Sequence, residues 1–150
     1  MSDSNYETWL ERQNELVDQA VLLIKKYKFK AFIMERERKS NFIRIHLREN
    51  RIDVFIKEIK SKFVRSVWLV KKEDFEPKSI YLLYAAKEDK WFATTSVEVD
   101  REGEYKDSSY KAGVQFIVVP TEIFRQATSF LKKMRKRYED QLQRRMTEWT

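Results

Sequence analysis

The chain has 150 residues, 42% of them hydrophobic, with ten Phe, seven Tyr and four Trp, enough apolar material for one cored domain over 1–150. With no Cys and a single His, disulfides, zinc fingers and thiol catalysis are excluded, and a Ser-His-Asp triad could use only His46. Basic residues outnumber acidic ones by 31 to 24, a net charge of +7, which fits nucleic acid best as a partner and anionic membrane second.

Residues 6–27 carry Trp9, Leu16, Ala20 and Leu23 at helical spacing, with Val17, Val21 and Ile24 beside them. Phe29–Met34 reads as a strand. Two alternating runs follow, Phe42–Leu47 and Ile52–Ile59, separated by R-E-N-R. Phe63–Val70 is a further strand, and Ile80–Ala86 and Trp91–Val97 form a second hairpin around K-E-D-K. Residues 100–112 read as a polar loop, and Val114–Val119 as a buried strand ending at Pro120. A long helix is predicted from Thr121 as N-cap, through Phe124, Ala127, Leu131 and Met134. Gly and Pro number two each, so the turns must be few or built from Asn, Asp, Glu and Lys. The order helix, strands, helix predicts an α+β domain with a central mixed sheet. The opening M-S-D-S-N-Y-E carries no secretory signal and no apolar run approaches a membrane span, so a soluble, cytoplasmic, DNA-associated protein is expected.

A two-residue turn at Glu49-Asn50 would pair residues whose numbers sum to a constant. Leu47 would then face Ile52, Ile45 face Val54 and Ile43 face Ile56, all on one side. The other side would hold Arg44, His46, Arg48, Arg51, Asp53 and Lys57. Extended further, the apolar side ends in a polar cluster of Asn41, Glu58, Lys39 and Lys60. Buried polar groups need partners, and a divalent cation beside a lysine would be one; an end emerging into solvent would need none.

The string E-I-K-S at 58–61 resembles the E-x-K half-motif of the PD-(D/E)xK (restriction-endonuclease-like) nuclease superfamily, which includes restriction enzymes, Holliday-junction resolvases and some homing endonucleases. The matching strand opening is Ser40-Asn41-Phe42, so asparagine stands where that superfamily has aspartate. An upstream helix often adds a glutamate there, and E-R-Q-N-E-L offers Glu15 or Glu11. The resemblance covers roughly residues 8–97 in element order. It implies a Mg²⁺-dependent endonuclease acting on duplex DNA. Glu58, Asn41 and Glu15 would lie at the metal, and Lys60 would stabilise the pentacovalent phosphate or orient water. It also implies a homo-oligomer, dimer or tetramer. A neutral Asn41 should weaken metal binding, leaving three readings: another acid such as Glu35 or Glu37, an inactivated variant, or a relative that binds DNA without cutting.

Asp53 is predicted to pair across the surface with His46 rather than join Glu58. Phosphate contacts are expected from Lys39, Arg44, His46, Arg48 and Arg51. The C-terminal run adds Lys132, Lys133, Arg135, Lys136 and Arg137, with Arg144 and Arg145 beyond. The rival reading is a non-catalytic nucleic-acid-binding or interaction protein.

Overall fold

The computed structural model describes residues 3–148. Helix α1 (Asp3–Lys26) turns a stripe of Leu16, Val17, Ala20 and Ile24, each no more than 1% exposed, onto a sheet. Lys25 and Lys26 sit in its last turn, where the helix dipole favours cations. Strands β1 (Lys30–Met34), β2 (Phe42–Leu47) and β3 (Asn50–Ile59) follow as an antiparallel meander. The chain then leaves this sheet for β4 (Val67–Lys71) and returns as β5 (Ser79–Ala85), parallel to β3. Strand β6 (Lys90–Thr95), helix α2 (Ser96–Glu102), β7 (Glu104–Asp107), β8 (Gln115–Pro120), the short β9 (Arg125–Gln126) and helix α3 (Ala127–Glu148) complete the order. The main sheet runs β1-β2-β3-β5-β6-β9, and a second runs β4-β8-β7. The α+β architecture with flanking helices is the predicted one.

Two cores result. Ile43, Ile45, Val54, Ile56, Ile80 and Leu82 point to the face covered by α1 and by Ala127 and Leu131 of α3. Tyr81, Leu83 and Ala85 point the other way, against Trp68, Val70, Ile117 and Val119 of the second sheet. Each fully buried aliphatic contributes about 1.5–3 kcal/mol, so the central strand β5, buried on both faces, anchors the fold. Gly103 joins α2 to β7 in the second layer. A Cβ there would lie 2.4 Å from Ile117 Cγ2 and 2.5 Å from the Val99 carbonyl oxygen, so only glycine fits.

Several expectations are corrected. The β2–β3 hairpin pairs Leu47 with Asn50, Ile45 with Ile52 and Ile43 with Val54, so its tip is Arg48-Glu49, not Glu49-Asn50. Arg48 itself takes the left-handed conformation, φ +52°. The slip is even, so the apolar face is unchanged, but the cross-strand partners move. Asp53 therefore faces Arg44, not His46. The strand expected from Phe63 begins only at Val67, because residues 63–66 form a turn closed by Ser66 N–H to the Phe63 carbonyl. The strand expected over Trp91–Val97 ends at Thr95, and α2 and β7 occupy 96–107, part of it expected as loop; Thr95 caps the helix by accepting from Glu98 N–H. Thr121 does not cap α3. Its hydroxyl donates to the carbonyls of Phe63 and Ser66, and residues 121–123 form a 3-10 turn before β9. No described helix is long and apolar enough to cross a membrane.

Candidate functional site

Glu58 lies near the end of β3, where alternation aims it at α1, and its side chain is only 5% exposed. A buried carboxylate needs a cation or donors, and α1 supplies one. Arg12 Nη2 donates to Glu58 Oε2 at 2.7 Å, and its Nε reaches Oε1 at 3.4 Å. The remaining Arg12 nitrogen donates to Glu15 Oε2 at 3.4 Å, one turn along the same helix. The guanidinium also sits 5.9 Å from the ring centre of Tyr84, the β5 residue paired with Glu58. These contacts hold the arginine charged: the Glu58 hydrogen bond first, opposed by burial, raises its pKa above the ordinary arginine value.

Asn41 precedes β2. Its backbone N–H donates to Asn14 Oδ1 at 3.4 Å, so residues 12–15 of α1 reach both strands of the expected site. Extending the observed register puts Asn41 beside Ile56 rather than Glu58. Lys60 is exposed one residue past β3, in no ion pair among the described residues. Glu11 is exposed on α1, likewise unpaired. Lys39 lies 4.0 Å from Asp74. One end of the sheet thus gathers Glu58, Glu15, Asn41 and Lys60, but around an arginine. Arg12 went unnoticed in the sequence; its spacing from Glu15 in E-R-Q-N-E was the available signal.

A magnesium ion would need several hard anionic oxygens converging on one point. The donor set does not fit. No group of three or more His, Cys, Asp or Glu able to hold a metal is found among the described residues. The Glu58 carboxylate is already neutralised by Arg12, and position 41 offers only an amide.

The expected phosphate contacts divide between two ends of the sheet. Lys39 and Lys60 belong to the Glu58 end. Arg48 belongs to the opposite end, where the hairpin tip meets Tyr138, Leu142 and Arg145 of α3, and Arg51 lies beside it. Glu58 and Asn50 are separated by about 26 Å of strand, at about 3.3 Å per residue. Lys132, Lys133, Lys136 and Arg137 are exposed on α3 and unpaired among the described residues. Arg135 is structural: it donates to the Lys28 carbonyl at 2.8 Å, pairs with Glu139 and packs on Phe29. Arg44 is tied to Asp53 at 2.8 Å, and His46 packs on Phe32 at 4.7 Å between ring centres.

No family profile matches the sequence, and no curated protein is significantly similar to it. Among solved structures, the fold resembles that of D212, a nuclease from a fusselovirus, with a TM-score of 0.54 over 93% of this chain and 96% of that one. At 13% identity the likeness is one of fold alone.

Proposed function

We propose that this chain is a nuclease-fold protein that binds duplex DNA without cutting it, a degenerate relative of the PD-(D/E)xK enzymes. The observation that carries this reading is the Arg12–Glu58 ion pair: a guanidinium stands where hydrolysis would need a second acid and a metal. Unpaired lysines and arginines at both ends of the sheet support the binding half, since each phosphate they neutralise releases a counterion. A homo-oligomer, dimer or tetramer, belongs to the same reading by analogy with nucleases that address both strands.

A second reading, Mg²⁺-dependent endonuclease, is favoured by one contact pattern. Arg12 holds both Glu58 and Glu15, so its displacement would leave two carboxylates facing one space, with Lys60 two residues on. Asn41 remains its weak point.

The binding claim is tested by fluorescence anisotropy on a labelled duplex across a salt series. In EDTA, affinity should fall linearly in log–log form with a slope of about −0.9 per phosphate neutralised, and magnesium should weaken it as a competing counterion rather than be required for it. Absence of duplex affinity at moderate salt, with binding to anionic vesicles instead, would remove it.

A further inference from the structure

Beside the Glu58 end, on the opposite face of β3, lies a cleft of about 340 Å³ between the first turns of α1, the segment before β2, and the turn after β4. Its volume falls in the lower part of the roughly 300–1,000 Å³ range of small-molecule sites. Lys57 lines it, half-buried and in no hydrogen bond or ion pair among the described residues. Asp74, on the same lining, lies 4.0 Å from Lys39. Burial lowers the Lys57 pKa below the ordinary lysine value; Asp74 opposes this, while Arg36 and Lys39 add to it. The Tyr6 ring lines the same cleft, with its hydroxyl turned into the protein and buried without a partner, whereas the Lys57 ammonium reaches solvent. Arg36 lines the same cleft, held over Phe42 and Phe55 by its guanidinium face and to the Ser40 carbonyl by Nε. The wall also has aromatic residues: Trp9, which is exposed, the half-buried Phe55, and the buried Tyr81 behind them.

Two cations without a bound anion, Lys57 and Arg36, share this concave wall with aromatic side chains. The chemistry that suits such a wall is an anion with a flat, stackable body. We propose that this cleft binds a nucleoside 5′-phosphate, with Lys57 and Arg36 on the phosphate and the base against the aromatic wall. The carboxylates of Glu73 and Glu76, also on the lining, are acceptors suited to ribose hydroxyls. The ligand can be a free mononucleotide or the phosphorylated end of a strand; the interior of a duplex, with its bases stacked, does not fit a single-nucleotide cleft. The inference stands apart from duplex binding and does not require it.

The test is calorimetry on the full chain with adenosine 5′-monophosphate, adenosine, inorganic phosphate, and a short oligonucleotide with or without a 5′-phosphate. The mononucleotide or the phosphorylated oligonucleotide should bind at least about tenfold tighter than adenosine or phosphate alone, and whichever is tighter identifies the source. Lys57→Met should weaken that binding about tenfold while its melting temperature at neutral pH holds or rises, because a desolvated charge is removed. Tyr6→Phe, which deletes only a hydroxyl sealed from the cleft, is the control and should leave binding unchanged without loss of stability. Closed-circular plasmid has no strand ends, so its binding should be the same in Lys57→Met and wild type. No binding of any probe by wild type overturns the proposal, as does nucleotide binding indifferent to Lys57→Met. Equal losses on plasmid and nucleotide overturn it too, by making Lys57 a general phosphate contact.

The same lysine gives stability a pH signature. With its folded-state pKa depressed, the unfolded chain binds the proton more readily, so its contribution should improve as pH rises toward the ordinary lysine range. Lys57→Met should lose that slope, as measured by urea denaturation at increasing pH. Bound nucleotide should flatten it in the wild type.

Discussion

Arg12→Ala should destabilise the chain by about 1–3 kcal/mol, at the lower end if solvent reaches the vacated space. The reason is the asymmetry of the pair: Glu58 is 5% exposed and Arg12 39%, so removing the arginine strands a buried carboxylate. Urea denaturation measures the loss. Glu58→Gln should restore part of it, because a neutral amide tolerates burial without a cation. The Arg12→Ala/Glu58→Gln double variant should therefore be more stable than Arg12→Ala alone. A single variant within about 0.5 kcal/mol of wild type would mean that the pair is held loosely and Glu58 is free for other partners.

Charge reversal at either end of the sheet should cost duplex affinity. Lys39→Glu with Lys60→Glu at the Glu58 end, and Lys133→Glu with Arg137→Glu on α3, should each lower affinity roughly 10–100-fold and make the salt slope shallower by about 2. The ends are about 26 Å apart along β3, less than the roughly 34 Å of one B-DNA turn, so one duplex can touch both and the effects should add. Arg44→Gln is the contrasting control: Asp53 already neutralises that arginine, so it should change affinity little. Loss confined to the α3 variant would move the interface away from Glu58 altogether.

Much of the fold was legible because buried strands advertise themselves. The alternation of Ile43, Ile45, Val54 and Ile56 identified the buried face of the hairpin despite a wrong register, since a slip of two leaves faces intact. The tip was misread because asparagine is the ordinary left-handed residue, whereas this chain places lysine and arginine there. Lys28, Arg38, Arg48, Arg65 and Lys78 all have positive φ, so cationic side chains occupy positions that glycine or asparagine would usually take. Helix α2 was hidden because only Ser96 and Val99 of it are buried, too little for a periodic signal. The placing of Glu58 on the α1 face of β3 was legible from the alternation of the strand. Its pairing with Arg12 was not: the spacing to Glu15 marks only the contact within the helix, and a strand partner 46 residues away leaves no local pattern. Lys57 was legible only as a charge on a polar face. That the second sheet and the α1 terminus close a cleft over it depends on the crossover between β3 and β5, which no local spacing encodes.

The central claim, duplex binding without hydrolysis, is tested most directly with supercoiled plasmid, magnesium and the unaltered chain, scoring binding and nicking in the same reaction. The account predicts a retarded but intact plasmid, with no nicking in magnesium beyond that in EDTA. Magnesium-dependent nicking by the unaltered chain, abolished by Lys60→Ala, would contradict it and establish an endonuclease that works with asparagine at position 41.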